Sequence, residues 1–199
     1  PHLLFGALAI FFYMGVEIGI PSFLPDRMKA LNINSVSFGG IEWNTTGILA
    51  IYWGGLMIGR LLGTFVLKII RVRTALVAYS LMAIILLAIS LVTEGEFSII
   101  LMLSCGFFNS IMWGSIFNLA SEDLGGNTKR ASGIICSFAI GGALLPPLMG
   151  MLQQSFGEEA LETGTTFALS CLFFYYLYIL VFAAKLSTIR INRKSSSYI

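Results

Sequence analysis

Four side chains in apolar surroundings have the types and the spacing of a small-molecule site. Tyr13 and Glu17 are four residues apart in one apolar segment, and Asn109 and Trp113 are four residues apart in another. Residues four apart share one face of a helix. A carboxylate and an amide can bind hydroxyl groups while aromatic rings pack against carbon-hydrogen faces, so the four are candidate substrate-binding residues. The alternative is that the asparagine joins helices by hydrogen bonds and that the tryptophan is packing.

A buried charge pair is the second candidate site. Glu17 lies about 14 residues into its segment, roughly 21 Å along a helix, and Arg60 lies about ten residues, roughly 15 Å, before the end of the next one. A charge facing lipid costs about 2.5 to 3.5 kcal/mol, so both side chains should face protein or a wet cavity. We expect Glu17 and Arg60 to pair. The pattern leaves open a cavity-lining or proton-linked pair and a purely structural ion pair.

No catalytic constellation and no metal-ligand spacing appears in the sequence. His2 is the only histidine, and Cys105, Cys136 and Cys171 are far apart. The chain has no H-E-x-x-H, G-x-S-x-G or Walker-type phosphate motif. Its basic residues stand in short loops, which gives no support to nucleic-acid binding. We therefore expect no enzyme, no metal, no cofactor and no nucleic-acid partner.

The elements that must position these side chains are membrane helices. The chain has 57% hydrophobic and 11% charged residues, whereas a globular domain has about 25% charged residues. Its apolar residues form six blocks of roughly 20, each long enough to cross a hydrocarbon core of about 30 Å. The pattern predicts an all-α bundle of six transmembrane helices in a lipid bilayer. The helices are expected at about 3–25, 46–70, 74–92, 98–121, 131–156 and 165–186, in a unit covering 1–187 with a polar cytoplasmic tail at 188–199.

The distribution of basic residues predicts the orientation. With six helices, both termini and the 2–3 and 4–5 loops lie on one side of the membrane. Nine basic residues fall on that side and two, Arg27 and Lys29, on the other, so the positive-inside rule places both termini in the cytoplasm and the chain in the cell (inner) membrane. The nine are Lys68, Arg71, Arg73, Lys129, Arg130, Lys185, Arg190, Arg193 and Lys194. The abrupt start at Pro1 suggests a piece of a longer chain.

Glycines and prolines predict close packing and bends. Gly55, Gly59 and Gly63 line one face of helix 2, and we expect them to meet the small face of helix 5, although membrane helices are often glycine-rich without such a contact. Helix 5 also contains a glycine pair and a proline pair, which indicate a kink that either bends during function or is static. Pro21 and Pro25 should kink or stop helix 1. The helix 5 residues concerned are Gly133, Ser137, Gly141, Gly142, Pro146 and Pro147.

Several stretches together resemble the second half of the fucose permease and glucose/galactose transporter family, a branch of the major facilitator superfamily. The resemblance extends over essentially the whole chain, and the stretches that carry it are FFYMGVEIGIPSFL at 11–24, YWGGLMIGRLLG at 52–63, GFFNSIMWGSIFNLA at 106–120, SGIIC at 132–136 and GGALLP at 141–146. Met112-Trp113-Gly114 departs from the proline-containing sequence expected there. This departure leaves the shape of the pocket, and so the identity of the sugar, open.

The resemblance implies the C-terminal half of a twelve-helix sugar:proton symporter that works by alternating access. Its six helices would form two inverted three-helix repeats, and helices 1 and 4 would line a central cavity that places Tyr13, Glu17, Asn109 and Trp113 at the substrate. The implied partners are an N-terminal six-helix half, a monosaccharide and a coupling proton. The alternatives are a major facilitator for a drug or an organic anion, and a non-transport six-helix scaffold or intramembrane enzyme.

Overall fold

Six helical spans form the structure, a computed structural model that describes residues 2–122, 124 and 128–189. Each span is long and apolar enough to cross a membrane, which agrees with the predicted six-helix, all-α fold class. We number the spans 1 to 6 along the chain. They are His2–Ala30, Thr45–Ile69, Val72–Val92, Gly95–Ser121, Thr128–Gln154 and Leu161–Thr188. Most of the predicted tail, from residue 190 onward, lies outside the described residues.

Three of the spans are single helices and three contain an interruption or a 3₁₀ turn. Span 1 is α1 (His2–Ala30), span 2 is α2 (Thr45–Ile69) and span 3 is α3 (Val72–Val92). Span 4 consists of α4 (Gly95–Asn109) and α5 (Met112–Ser121). Span 5 consists of α6 (Thr128–Ser137), a 3₁₀ turn (Phe138–Ile140) and α7 (Gly141–Gln154). Span 6 is α8 (Leu161–Ala184) followed by a 3₁₀ turn (Leu186–Thr188).

Prolines do not end the helices in which they occur. α1 continues through Pro21 and Pro25 to Ala30, beyond the predicted end at about residue 25. α7 contains both Pro146 and Pro147, and the irregular turn of span 5 lies before Gly141 instead. Lipid-embedded helices tolerate proline where neighbouring groups satisfy the backbone carbonyls that it leaves free.

The segment between spans 1 and 2 is more ordered than the loop that the sequence suggests. Strands β1 (Ser35–Phe38) and β2 (Ile41–Asn44) pair antiparallel as a hairpin. Its two-residue turn is Gly39-Gly40, and both glycines have positive φ, as such turns require. Asn44 then caps α2, because its side-chain oxygen accepts a hydrogen bond from the Gly47 amide at 2.9 Å.

The glycine face of α2 packs on span 4, so the predicted contact with span 5 is wrong. A Cβ atom added to Gly59 would lie 2.5 Å from the Ser110 hydroxyl oxygen and 2.7 Å from the Phe107 carbonyl oxygen, and one added to Gly63 would overlap the Ile111 side chain. Gly55 also faces Phe107. The glycines of α2 therefore pack against the region of span 4 around its interruption, where Phe107, Ser110 and Ile111 come close to Gly59 and Gly63.

The glycines of span 5 have other neighbours. Gly141 lies against the backbone of Phe11 in α1, and Gly142 lies against Met14 and Ile18 of the same helix. Nothing lies within 4 Å of the position that a Cβ atom would take at Gly133. Span 5 therefore uses Gly141 and Gly142 for close contact with α1.

Span 1 lies at the centre of the bundle. It contacts α8, α7 and α5, while α3 packs between α4 and α8 and α2 packs on α4. Spans 1 and 4 are the most buried, because 56% and 67% of their most apolar 18 residues lie inside the protein, against 28% for spans 2 and 5. Since each crossing reverses direction, spans 1 and 4 run in opposite senses, as two inverted three-helix repeats require.

Candidate functional site

A charge pair joins span 1 to span 2, but only its glutamate side chain is buried, which differs from the buried pair that the sequence predicts. Arg60 Nη2 donates to Glu17 Oε1 at 2.9 Å. The Glu17 side chain is only 8% exposed, whereas that of Arg60 is 55% exposed. The carboxylate is thus held by protein, and most of the guanidinium N–H groups remain accessible to another partner.

The pair lines a cavity with a volume of about 570 Å³. Its wall is formed by spans 1, 2 and 4. The family resemblance implies the first and the fourth, and the cavity-lining interpretation of Arg60 adds the second. The lining residues are Met14, Glu17, Arg60, Gly63, Thr64, Leu67, Ser110, Ile111, Trp113 and Gly114. The wall is mostly apolar with a few polar groups, which is the usual composition of a small-molecule site.

Of the four predicted substrate-binding residues, Glu17 and Trp113 reach this cavity and Tyr13 and Asn109 do not. Tyr13 and Asn109 are fully buried. The Tyr13 ring lies directly behind Trp113, with 6.2 Å between ring centroids. The structure therefore places one residue of each predicted pair at the cavity and the other one behind its wall.

Asn109 lies among three tyrosine hydroxyls. Its amide nitrogen donates to Tyr52 Oη at 3.2 Å, and its amide oxygen accepts from Tyr176 Oη at 2.8 Å. Its backbone carbonyl accepts from Tyr13 Oη at 3.1 Å. The residues come from spans 1, 2, 4 and 6, so the asparagine is a meeting point of four helices.

The turn of α1 that carries Glu17 depends on a proline and on Tyr52. Pro21 has no N–H group, so the Glu17 carbonyl four residues earlier has no helical donor. Tyr52 Oη supplies the missing hydrogen bond at 3.2 Å. The backbone under the Glu17 carboxylate is thereby fixed by a side chain of span 2.

Thr64 and Ser110 are lining residues that the sequence-based prediction missed. Thr64 lies one helical turn after Arg60, and Ser110 follows Asn109 at the interruption of span 4. The Ser110 hydroxyl is buried and has no hydrogen-bond partner among the described residues. The available signal was the spacing of Thr64 from Arg60, which puts both on one face of α2.

The groups that line the cavity are suited to binding a small molecule. Among the described residues, no group of three or more histidine, cysteine, aspartate or glutamate side chains could hold a metal ion. A carboxylate, a guanidinium, the Thr64 hydroxyl and an indole ring in a partly apolar cavity can bind a small polyhydroxylated molecule by hydrogen bonds and ring contact.

Comparison with known proteins gives a consistent set of relatives, although no family model matches the chain. A Helicobacter pylori protein, provisionally named a glucose/galactose transporter, is 40% identical over 185 residues, which are 92% of this chain. A Brucella abortus glucose/galactose transporter is 37% identical over 156 residues, and the Escherichia coli L-fucose-proton symporter is 31% identical over 157 residues. These alignments cover 78% and 79% of this chain.

Solved structures give the same relationship. The crystal structure of the Escherichia coli fucose:proton symporter matches 90% of this chain with a TM-score of 0.70 and 26% identity. A second structure, described as a major facilitator superfamily transporter in the outward conformation, matches with a TM-score of 0.69. This chain covers 43% and 42% of these two solved chains, and 43%, 37% and 35% of the three relatives named above.

Proposed function

The chain belongs to the fucose permease and glucose/galactose transporter branch of the major facilitator superfamily, and we propose that it forms the C-terminal half of a monosaccharide:proton symporter. The observation that carries the proposal is the cavity in which the Glu17–Arg60 pair and Trp113 lie together. In this proposal Glu17, Arg60 and Trp113 contact the sugar.

The cavity has the chemistry that a sugar needs. Arg60 keeps most of its N–H groups accessible while Glu17 orients it, and guanidinium N–H groups are donors for the hydroxyl oxygens of a sugar. The Trp113 indole offers an apolar ring for the carbon-hydrogen face of the sugar. Thr64 and Gly114 also line the cavity. Thr64 provides a hydroxyl, and nothing lies within 4 Å of the position that a Cβ atom would take at Gly114.

The proposed partner is an N-terminal six-helix half. The chain spans less than half of its relatives' length, and span 2 carries large apolar side chains that nothing covers among the described residues. Met57, Leu61 and Phe65 are each about 60% exposed. Lipid and a second half are the surroundings in which such side chains are stable. Sugar would bind between the two halves, which rock to open the cavity to either side in turn.

The coupling ion is proposed to be a proton. One relative is named a proton symporter, and Glu17 is the carboxylate at the cavity in this half. Because Glu17 is hydrogen-bonded to Arg60, the charge of Glu17 affects a side chain that contacts the sugar in this proposal. A carboxylate in the missing half is expected to share the coupling.

The chain is an integral membrane protein, and we propose the cell (inner) membrane with cytoplasmic termini. The support is the nine-to-two bias of basic residues noted above. The relatives are transporters rather than enzymes. No observation on the site favours a scaffold or an intramembrane enzyme.

Cysteine protection in the full-length transporter tests the proposed function. Cys105, Cys136 and Cys171 are replaced first, and Gly114→Cys then reports on the cavity, because nothing lies within 4 Å of that position. Gly54→Cys is the matched control on span 2, outside the cavity lining. Glucose, galactose or fucose should slow thiol labelling at residue 114 and leave residue 54 unchanged.

Two other outcomes contradict the proposal. Protection at residue 114 by cationic drugs or organic anions, and by none of the sugars, would identify a carrier of another solute. The other outcome is that no solute changes the labelling rate at residue 114 or at residue 54 in variants that are folded in proteoliposomes. It would show that the cavity does not bind a transported solute.

A further inference from the structure

We propose that Asn109, Tyr13, Tyr52 and Tyr176 are positioning residues that hold the two sugar-contacting helical turns in fixed register behind the cavity. We call these four residues the tyrosine–asparagine network. The inference rests on the proposed function for the identity of the ligand. The network itself is a feature of the bundle and can be tested without transport.

The first step concerns two backbone carbonyls that lack a helical donor. Pro21 leaves the Glu17 carbonyl free in α1. Asn109 is the last residue of α4, where the interruption of span 4 leaves its carbonyl free as well. Each free carbonyl lies in or next to the turn that carries a cavity residue, Glu17 in one case and Trp113 in the other.

The second step is that tyrosines of neighbouring spans satisfy both carbonyls. Tyr52 Oη donates to the Glu17 carbonyl at 3.2 Å, and Tyr13 Oη donates to the Asn109 carbonyl at 3.1 Å. Tyr13 lies one turn before Glu17 on the same helix, so α1 supports span 4 while span 2 supports α1. The two turns that have a free carbonyl are thereby joined.

The third step concerns the orientation of the Asn109 amide. The Tyr52 hydroxyl has used its proton on the Glu17 carbonyl, so it can only accept from Asn109 Nδ2. The Tyr176 hydroxyl donates to Asn109 Oδ1. One side chain must therefore offer a donor to one tyrosine and an acceptor to the other. Asparagine does both, whereas ionised aspartate lacks the donor and leucine lacks both groups.

The fourth step separates positioning from contact. Tyr13, Tyr52, Asn109 and Tyr176 are each fully buried and none of them lines the cavity. They cannot touch a sugar in this arrangement. Their effect must pass through Glu17 and Trp113, whose backbone turns they hold.

Tyrosine-to-phenylalanine variants test the network in the full-length transporter in proteoliposomes. Tyr52→Phe and Tyr176→Phe each remove a hydroxyl and keep the ring. Tyr178→Phe is the matched control, because its hydroxyl also donates to a carbonyl, that of Phe5 at 3.2 Å, but lies outside the network. We expect KM for the sugar to rise about fivefold in each network variant, with the maximal rate largely kept, since one net hydrogen bond is worth about a factor of five.

A double-mutant cycle asks whether Asn109 couples the two tyrosines. Tyr52→Phe and Tyr176→Phe should be non-additive in their effect on KM, because each removes a partner of the same amide. Tyr52→Phe and Tyr178→Phe should be additive. Additivity in both cycles, or network variants that match Tyr178→Phe in KM, would overturn the inference while leaving sugar transport intact.

The labelling rate of Gly114→Cys gives a readout that needs no transport. Loss of the Tyr52 hydroxyl should change the rate at residue 114, next to Trp113, and Tyr178→Phe should not. An unchanged rate in a folded Tyr52→Phe variant would also overturn the inference. Failure of all sugars to protect residue 114, together with a changed rate in Tyr52→Phe, would instead contradict the proposed function and keep the network.

Discussion

The hydroxyl of Tyr52 donates a hydrogen bond to the backbone carbonyl of Glu17, at 3.2 Å, across the contact between spans 1 and 2. This carbonyl is free because Pro21 stands four residues later. One proline in span 1 therefore explains why a buried hydroxyl in span 2 lies where it does. The relationship also supports the turn from which the Glu17 carboxylate reaches Arg60.

The first prediction follows from that relationship. Tyr52→Phe should lower the free energy of unfolding by about 1 to 3 kcal/mol, because a buried carbonyl loses its donor. In a Pro21→Ala background the loss should be smaller, since alanine restores a backbone N–H group for the Glu17 carbonyl. Thermal unfolding in detergent measures both effects. Tyr178→Phe should lower the free energy of unfolding equally with Pro21 and with Pro21→Ala. An equal loss for Tyr52→Phe in these two backgrounds would contradict the prediction.

The second prediction concerns the charge pair. Glu17→Gln should weaken sugar binding about tenfold or more, because a hydrogen bond to a charged group contributes about 1.5 to 3 kcal/mol and orients Arg60. It should also reduce the pH dependence of uptake, because the glutamine cannot exchange a proton with water. Equilibrium binding and uptake are measured at about pH 5 to 8, the range in which proteins are usually most stable.

The exposed Glu159 supplies the control for this prediction. Glu159→Gln removes the same charge from the turn before span 6 and should leave affinity and pH dependence unchanged. If Glu17→Gln behaved like Glu159→Gln, Glu17 would have no part in the sugar site.

The third prediction separates two tryptophans. Trp113→Ala should weaken sugar binding about threefold to tenfold, because an aromatic contact contributes roughly 0.5 to 1.5 kcal/mol beyond its buried area. Trp113→Phe should retain part of the affinity. Trp53→Ala is the control, since Trp53 is 45% exposed on span 2 and does not line the cavity. Competition binding distinguishes them, and equal effects at the two positions would argue against a sugar contact at Trp113.

The fourth prediction concerns the contact of α2 with span 4. Gly59→Ala should destabilise the protein by about 1 to 3 kcal/mol, because the new Cβ atom would meet a backbone carbonyl that cannot rotate away. Gly54→Ala, five residues earlier on the same helix, has nothing within 4 Å and should be neutral. The midpoint of thermal unfolding in detergent tests the pair. Similar midpoints for the two variants would show that the glycine face is not closely packed.

The fifth prediction concerns Arg27, which joins four spans near the end of α1. Its guanidinium donates to the side chains of Ser98 and Thr166 and to the carbonyls of Ser90, Leu91 and Thr93. Arg27→Met should leave several of these acceptors unsatisfied, at roughly 1 to 3 kcal/mol for each one that water cannot reach. Unfolding in detergent measures the loss.

Lys29→Met is the control for Arg27. The Lys29 side chain is 72% exposed and forms only a long ion pair of 3.9 Å with Asp26. Its removal should change stability little, because exposed pairs contribute about 0 to 1 kcal/mol. A stability of Arg27→Met equal to that of Lys29→Met would contradict a role for Arg27 in joining the spans.

The number of spans and the family could be predicted from the sequence. Six apolar blocks are visible without any contact information, because the thickness of the bilayer sets their length. The pairing of Glu17 with Arg60 was also expected, since two charges at similar depth in adjacent helices have few other partners. Helix ends were less predictable, because Pro21 and Pro25 stop a helix only where no neighbour satisfies the freed carbonyls.

Tertiary structure alone decided which polar residues face the cavity. Tyr13 with Glu17, and Asn109 with Trp113, share helical faces in sequence, yet in each pair one residue lines the cavity and the other is buried. The interruption after Asn109 and the tyrosines bonded to it account for the difference between Asn109 and Trp113, and neither follows from periodicity. The amino-acid sequence determined which segments enter the membrane, because apolar length is a local property. The direction in which each polar group points was decided by packing, because it depends on residues that are distant in the chain.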